Sequence, residues 1–182
     1  MDYVIRGSRA DEWRQVRELR LAALQDEAAG IAFLESYEDG LRHPDEFWQE
    51  RAAGAAAGER VKGFIAEDVD GRWVGSVTVL VELPGDEGLF GEEPEQAQGH
   101  LVGVYLRPEA RGAGLGEALF EAAVEWAFAQ ERPRLERVRL FVHERNGRAS
   151  GLYRKCGFVP TGKQIVLTKD GGQEIEMVRG RA

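Results

Sequence analysis

The order of apolar and polar positions divides the chain into strands and helices before any motif is considered. Tyr3-Val4-Ile5-Arg6 reads as a short strand, and Ser8 followed three residues later by Asp11 predicts a helix start of the capping-box kind. Val16, Leu19, Ala22 and Ala23 then recur at helical spacing and give that helix one apolar face. The stretch GIAFLESYEDGL (30–41) keeps no regular period. His43-Pro44-Asp45-Glu46 predicts the entry to a second helix, with proline in its first turn and acids near the positive end of the dipole, fraying in the alanine and glycine run before Arg60. Strands over about 61–68 and 72–82 are joined at Asp70-Gly71, a dipeptide suited to a tight hairpin, and Val77, Val79 and Val81 alternate as one buried sheet face does.

The segment 82–98 that follows carries six acids, no base, two prolines and three glycines, which predicts an exposed loop. A strand over 100–108 runs directly into a glycine-rich turn and then a helix whose Leu115, Ala118, Leu119, Ala122, Ala123 and Trp126 hold the i, i+3, i+4, i+7 spacing. The remainder reads as a strand (138–143), a helix (about Gly147 to Lys155), a strand (158–168), a turn at Asp170-Gly171-Gly172 and a last strand (174–178). Hairpins supply antiparallel pairs and each strand-helix-strand stretch supplies a crossover, so the expectation is one α/β (α+β) domain over 1–182 with a mixed sheet covered by helices.

Composition narrows the function. Hydrophobic residues at 43% and charged residues at 31% describe a globular chain, and no apolar run approaches the roughly 20 residues of a spanning helix. The first residues are charged and lack an apolar h-region, so no membrane association is expected and the expected compartment is cytoplasmic. One cysteine, Cys156, excludes an internal disulfide framework, and three scattered histidines leave no zinc spacing, so no metal is expected. A net charge of -8 argues against a nucleic-acid partner. Between Arg132 and Lys155, however, eight basic residues face two acidic ones, a place where a discrete anionic ligand could sit.

The strand-to-helix turn Arg111-Gly112-Ala113-Gly114-Leu115-Gly116 is the most informative segment. Its glycines allow positive φ and close approach of a ligand, and the first amides of the following helix point outward with the dipole behind them, which makes an anion site. A turn required only for packing is the alternative. Two other phosphate motifs fail: Glu117 and Leu119 stand where a dinucleotide fingerprint needs its third glycine, and no Gly-Lys-Ser/Thr triplet exists for a nucleotide P-loop.

On these residues the chain resembles the GNAT superfamily of N-acetyltransferases. Arg111, Gly114 and Gly116 match its Arg/Gln-x-x-Gly-x-Gly/Ala signature, and Leu106-Arg107-Pro108 matches the upstream strand end. Asn146, Ala149, Leu152-Tyr153 and Gly157-Phe158 match a second block in the right order, so the resemblance covers about 60–160 closely. It implies a GNAT fold, a central mixed, mostly antiparallel sheet of six to seven strands flanked by about four helices.

The resemblance further implies direct acetyl transfer from acetyl-CoA to an amine. The pyrophosphate of coenzyme A maps to the turn from Arg111 through Gly116, and the pantetheine arm to the backbone of Tyr105 and Leu106, beside a bulge that Gly103 would permit. Arg148, Arg154 and Lys155 either reach the other phosphates or form a solvated helix face. Tyr153 matches the tyrosine that protonates the thiolate, and Asn146 contacts the pantetheine side, caps its helix, or does both. His100 stands where many relatives carry a glutamate base, and a histidine with an ordinary pKa of about 6.5 suits that task at neutral pH. Glu35, Tyr37 and Glu38 are alternatives in the segment that implies the acceptor pocket, while His143 and Glu144 lie near the second block. Cys156 has no base partner in the pattern, so an acyl-cysteine route is set aside.

The acceptor is open at this level. A primary amine of a small molecule leads; a protein N-terminal or lysine acetyltransferase and a non-catalytic acyl-CoA sensor are the alternatives. The acidic loop from Glu82 to Glu95 either steers a cationic acceptor or is merely solvated. The resemblance also allows a homodimer through the C-terminal strands.

Overall fold

The computed structural model describes residues 2–167 and 170–182. Its strands are β1 (Val4–Gly7), β2 (Val61–Glu67), β3 (Trp73–Glu82), β4 (Gln98–Leu106), β5 (Arg137–His143), β6 (Val159–Val166) and β7 (Gln173–Gly180). The helices are α1 (Trp13–Leu24), α2 (Ala29–Ala32), α3 (Tyr37–Arg42), α4 (Asp45–Ala57), α5 (Leu115–Phe128) and α6 (Gly147–Lys155). One seven-stranded sheet has the order β1-β2-β3-β4-β5-β7-β6, antiparallel throughout except where β4 meets β5. The last predicted strand position before the turn, Thr168, lies outside the described residues.

Strand alternation sorts the side chains onto two faces. On one, Val77, Val79, Val81, Leu101, Val138, Leu140 and Met177 pack against Leu119, Phe120, Ala123, Val124 and Ala127 of α5 to form the main core. On the other, Ile65, Trp73 and Tyr105 pack against Leu19 and Ala23 of α1. The second face changes character toward β5 and β7, where cross-strand partners His100 and Arg139, Phe141 and Glu176, and His143 and Glu174 share it. A layer of charged and polar groups replaces the apolar one there.

The N-terminal third departs from the pattern read in the sequence. Ser8 does not cap α1; its hydroxyl donates to the Gly63 carbonyl at 3.5 Å, while Glu12 occupies the position before Trp13 and takes the Arg9 amide at 2.8 Å and Arg6 at 2.6 Å. A guanidinium is a stronger partner for that carboxylate than Ser8 is for a free amide. The aperiodic stretch 30–41 is mostly taken up by the short helices α2 and α3, the second capped by Ser36 accepting from the Asp39 amide. Helix α4 starts after Pro44 and persists through the alanine run, because Trp48, Ala52 and Ala55 are buried; Gly58, at φ 70°, ends it. Among the described residues six α-helices therefore stand where about four were expected, the two extra being of four and six residues.

Candidate active site

Strands β4 and β5 hold each other, among the described residues, at Gly99 with Val138 and at His100 with Arg139, and then part. On its other edge β4 carries one extra residue against β3, between the pairs Ser76 with Tyr105 and Thr78 with Val102. Gly103 in this bulge has φ 61°, a conformation that glycine adopts at least cost. The bulge that Gly103 permits is thus present. Parting strands leave a cleft of about 750 Å³, walled by 101–106 of β4, 141–143 of β5, the segment 28–35, the first turn of α5 and one side of α6 along its length.

One end of the cleft is the glycine turn. Gly112 and Gly114 have φ of 80° and 78°, and the first bond of α5 runs from the Ala118 amide to the Gly114 carbonyl at 3.1 Å. The amides of Leu115, Gly116 and Glu117 therefore precede the helical ladder and are free to bind an anion. A Cβ on Gly116 would come within 3.1 Å of both Leu106 and Leu152, so glycine here keeps β4, α5 and α6 in close contact. Arg111, Gly112 and Gly116 line the cleft with Tyr105 and Leu106; Ala113, Gly114 and Leu115 are not on its wall, and the Leu115 side chain is in the main core. The Arg111 guanidinium donates to the Leu106 carbonyl at 3.0 Å and to Asp26 at 2.5 Å, tying the turn to the strand end and to the chain after α1. Burial alone would raise the Asp26 carboxyl, but the bonds from Arg111 and the Ala28 amide hold it below the usual range.

Helix α6 supplies the next group of residues. Asn146 Oδ1 accepts the Ala149 amide at 3.2 Å, which makes the predicted cap, and the same residue lines the cleft. Arg148 and Lys155 line the cleft and Arg154 does not. Tyr153 lies on the wall with its ring 5.2 Å from that of Phe120, and burial first, then the charge of Glu174, push its phenol above the ordinary range. Burial also pushes the Cys156 thiol up to about 11, which leaves it protonated and a poor nucleophile at neutral pH.

The polar layer of the sheet forms the opposite end. His100 is 1% exposed and lines the cleft, with Nδ1 2.7 Å from Glu82 Oε1. The other Glu82 oxygen accepts Gln98 Nε2 at 2.9 Å and Arg139 Nε at 2.8 Å. Burial works to raise the Glu82 carboxyl, yet these donors, His100 and Arg139 foremost, bring it down to about 2. Arg139 also donates to Glu176 at 3.2 Å and Glu92 at 2.6 Å.

Two expectations are corrected here. The acidic segment is not simply solvated, since Glu82 ends β3 buried and Glu92 fastens the loop to Arg139. Nor do the bases between Arg132 and Lys155 form one anion site. Alternation along β5 sends Arg139 into the polar layer, while Arg134 pairs with Glu136, Arg137 with Gln98 and Arg145 with Asp170.

The segment 28–35 reaches the cleft but α3 does not, so Glu35 lines it and Tyr37 and Glu38 do not. Glu35 is bonded to Arg20 at 2.9 Å and to His43 at 2.6 Å. Loop residues Leu89 and Phe90 also enter the wall, with the Phe90 ring 5.1 Å from Phe141. His143 lines the cleft, whereas the Glu144 carboxylate accepts the Gln173 amide at 3.2 Å. Sequence reasoning missed Glu174, a buried carboxylate on the wall that burial, and then Asp170, push up to about 7. Its only signal in the sequence is an acid alternating with apolar residues, the pattern of a solvated strand face.

Comparison with known proteins places this architecture. The acetyltransferase (GNAT) family model matches residues 13–158, and the chain belongs to that family. It is 38% identical over 95 residues to a mycothiol acetyltransferase of Saccharomonospora viridis, a match covering 52% of this chain and 29% of that protein. With a putative [ribosomal protein bS18]-alanine N-acetyltransferase of Bacillus subtilis it shares 36% identity over 74 residues, 41% of this chain and 47% of that protein. The chain thus spans less than a third of the mycothiol relative and about half of the ribosomal one. Among solved structures, an acetyltransferase of the GNAT family from Streptococcus pneumoniae superposes with TM-score 0.74 at 20% identity, covering 99% of this chain and all of that one. A phosphinothricin acetyltransferase from Sinorhizobium meliloti in complex with AcCoA gives 0.73 at 19% identity over 99% and 89% of the two chains. These likenesses show the fold; no helix of the described residues is long and apolar enough to cross a membrane.

Proposed function

We propose that this chain transfers an acetyl group from acetyl-CoA directly to a primary amine of a small molecule. The observation that carries the reading is the continuity of one cleft from the glycine turn, along the parting strands, to Tyr153 and the polar layer of the sheet. Free amides at the start of α5, with Arg148 and Lys155 nearby, suit the coenzyme's phosphates. The β4 edge released at Tyr105 and Leu106 suits the amide-bearing pantetheine arm, which it can bind as an added strand. In that binding mode the thioester lies beside Tyr153.

Direct transfer requires a deprotonated amine and a proton for the departing thiolate. Glu82, ionised at neutral pH, pairs with His100 Nδ1 and orients the ring, so that Nε2 is the atom assigned to take a proton from the acceptor. Tyr153 donates its hydroxyl proton to sulfur. An ordered pair of substrates in one cleft supplies the remaining advantage, since transfer then occurs between neighbours. The loop after β3, fastened by Glu92 and packed edge-to-face through Phe90 on Phe141, covers the acceptor end and favours a small acceptor over a peptide.

The test is release of free thiol from acetyl-CoA with a panel of small amines, free amino acids and peptides with exposed N-termini. Turnover of small amines above that of peptides is expected, with Tyr153→Phe reducing it. Turnover of peptides alone would replace the small acceptor by a protein one, and binding of acetyl-CoA without any turnover would make the chain a sensor.

A further inference from the structure

Glu174 is used by none of these roles. It is 7% exposed, lines the cleft from β7, and among the described residues its carboxylate has no hydrogen bond or ion pair. Buried carboxylates are ordinarily paired. Its surroundings explain why this one is not. Opposite on β5 stands His143, whose Nδ1 accepts the Arg145 amide at 3.2 Å while Nε2 faces Asp170 at 3.2 Å. The ring is thereby engaged with Arg145 and Asp170 rather than with Glu174. Opposite on β6 is the apolar Ile165. From the adjoining turn Asp170 adds a negative charge, with Arg145 bonded to Asp170 at 3.1 Å. The neighbouring acids are engaged elsewhere: Glu144 with the Gln173 amide, and Glu176 with Arg139 and Thr161. Tyr153 of α6 lines the same cleft, and the charge of Glu174 helps to raise its phenol.

A tyrosine that protonates a thiolate is left as a buried phenolate, which must regain a proton before the next turnover. We propose that Glu174 returns it: the carboxylate takes the proton shed by the acylated nitrogen and passes it to the Tyr153 oxygen, directly or through one water. The inference rests on the function proposed above. The amine arrives as an ammonium, and its first proton goes to His100 and then to solvent. Nitrogen bonds to the carbonyl carbon, the carbon–sulfur bond breaks with its electron pair on sulfur, and the Tyr153 proton goes to that sulfur. The second nitrogen proton goes to Glu174 and from there to Tyr153. One ammonium and one thioester give one amide, one thiol and one released proton, with both side chains restored. The hand-over runs downhill, because the carboxyl sits at about 7 and burial holds the phenol well above that.

The test compares pH profiles of kcat for the wild type, Glu174→Gln, Glu174→Asp and His100→Gln on one small amine that the wild type acetylates. Glu174→Gln is expected to lower kcat about 10- to 100-fold, to leave KM for acetyl-CoA unchanged and to lose an acid limb near pH 7. That limb is retained in Glu174→Asp and His100→Gln. A limb that survives in Glu174→Gln, or a kcat within about twofold of wild type, overturns the relay. An independent readout is the 13C-carboxyl resonance of labelled glutamate that disappears in Glu174→Gln. It should titrate near pH 7 without any acceptor, and titration in the ordinary carboxylate range overturns the inference even if turnover falls. A wild type that binds acetyl-CoA and acetylates nothing overturns the acceptor reading and the relay together, whereas an active wild type with an unaltered variant overturns the relay alone.

Discussion

His100 Nδ1 lies 2.7 Å from Glu82 Oε1 across the β3–β4 pair, and the same carboxylate takes Arg139 at 2.8 Å on its other oxygen. One buried anion thereby orients the imidazole and neutralises the arginine that fastens the 83–97 loop. Glu82→Gln removes both effects. It should lower stability by about 3 kcal/mol, the usual cost of breaking a buried ion pair by deleting one partner, and slow acetyl transfer about 10-fold or more. Urea unfolding and thiol release measure the two losses separately.

The same carboxylate makes the fold acid-sensitive. Its pKa in the folded state, about 2, lies below its ordinary value of 4.5, so its contribution is complete above pH 4.5 and is lost as pH falls toward 2. A displacement of that size corresponds to about 3 kcal/mol. Stability followed from pH 5 to pH 2 should fall for the wild type and fall less steeply for Glu82→Gln.

Glu174 has the opposite sign. Its folded pKa of about 7 lies above the ordinary 4.5, so the cost of carrying the carboxylate is absent below pH 4.5, grows between 4.5 and 7, and is complete above 7. Glu174→Gln should therefore stabilise the fold at pH 8 by up to about 3 kcal/mol, a gain of several degrees in Tm, and change it little at pH 4. Thermal melts at the two pH values check this, and a stabilising substitution that lowers turnover is the signature of a group kept for chemistry.

Legibility in the sequence followed how local each feature is. The 111–117 turn, α5 and α6 were readable because glycine conformation, helical periodicity and an Asn cap act within a few residues; α6 occupies Gly147–Lys155 as read. The polar layer was not readable, since Glu82, His100 and Arg139 are separated by 18 and 39 residues and meet only when β4 and β5 pair. Glu174 was hidden for the same reason: β7 inserts between β5 and β6, which turns an apparently solvated alternation into a buried wall. Helix α4 persisted where its composition predicted fraying because Trp48 and two alanines are buried by tertiary packing.

Tyr153→Phe keeps the ring against Phe120 and removes the hydroxyl alone. It should reduce kcat about 100-fold, within the range of a lost general acid, with acetyl-CoA affinity unchanged. Single-turnover kinetics beside equilibrium titration separate the chemical step from binding.

The central claim is that the Arg111–Gly116 turn and the first amides of α5 hold the phosphates of acetyl-CoA. Calorimetric titration of the wild type and of Gly114→Glu tests it most directly, because Gly114, at φ 78°, occupies the N-cap of α5, where a carboxylate adds both backbone strain and like charge to an anion site. Saturable one-to-one binding by the wild type, weakened more than about 100-fold in the variant (about 2.7 kcal/mol), is the predicted result. No binding by the wild type, or equal affinity in the two proteins, would contradict the account.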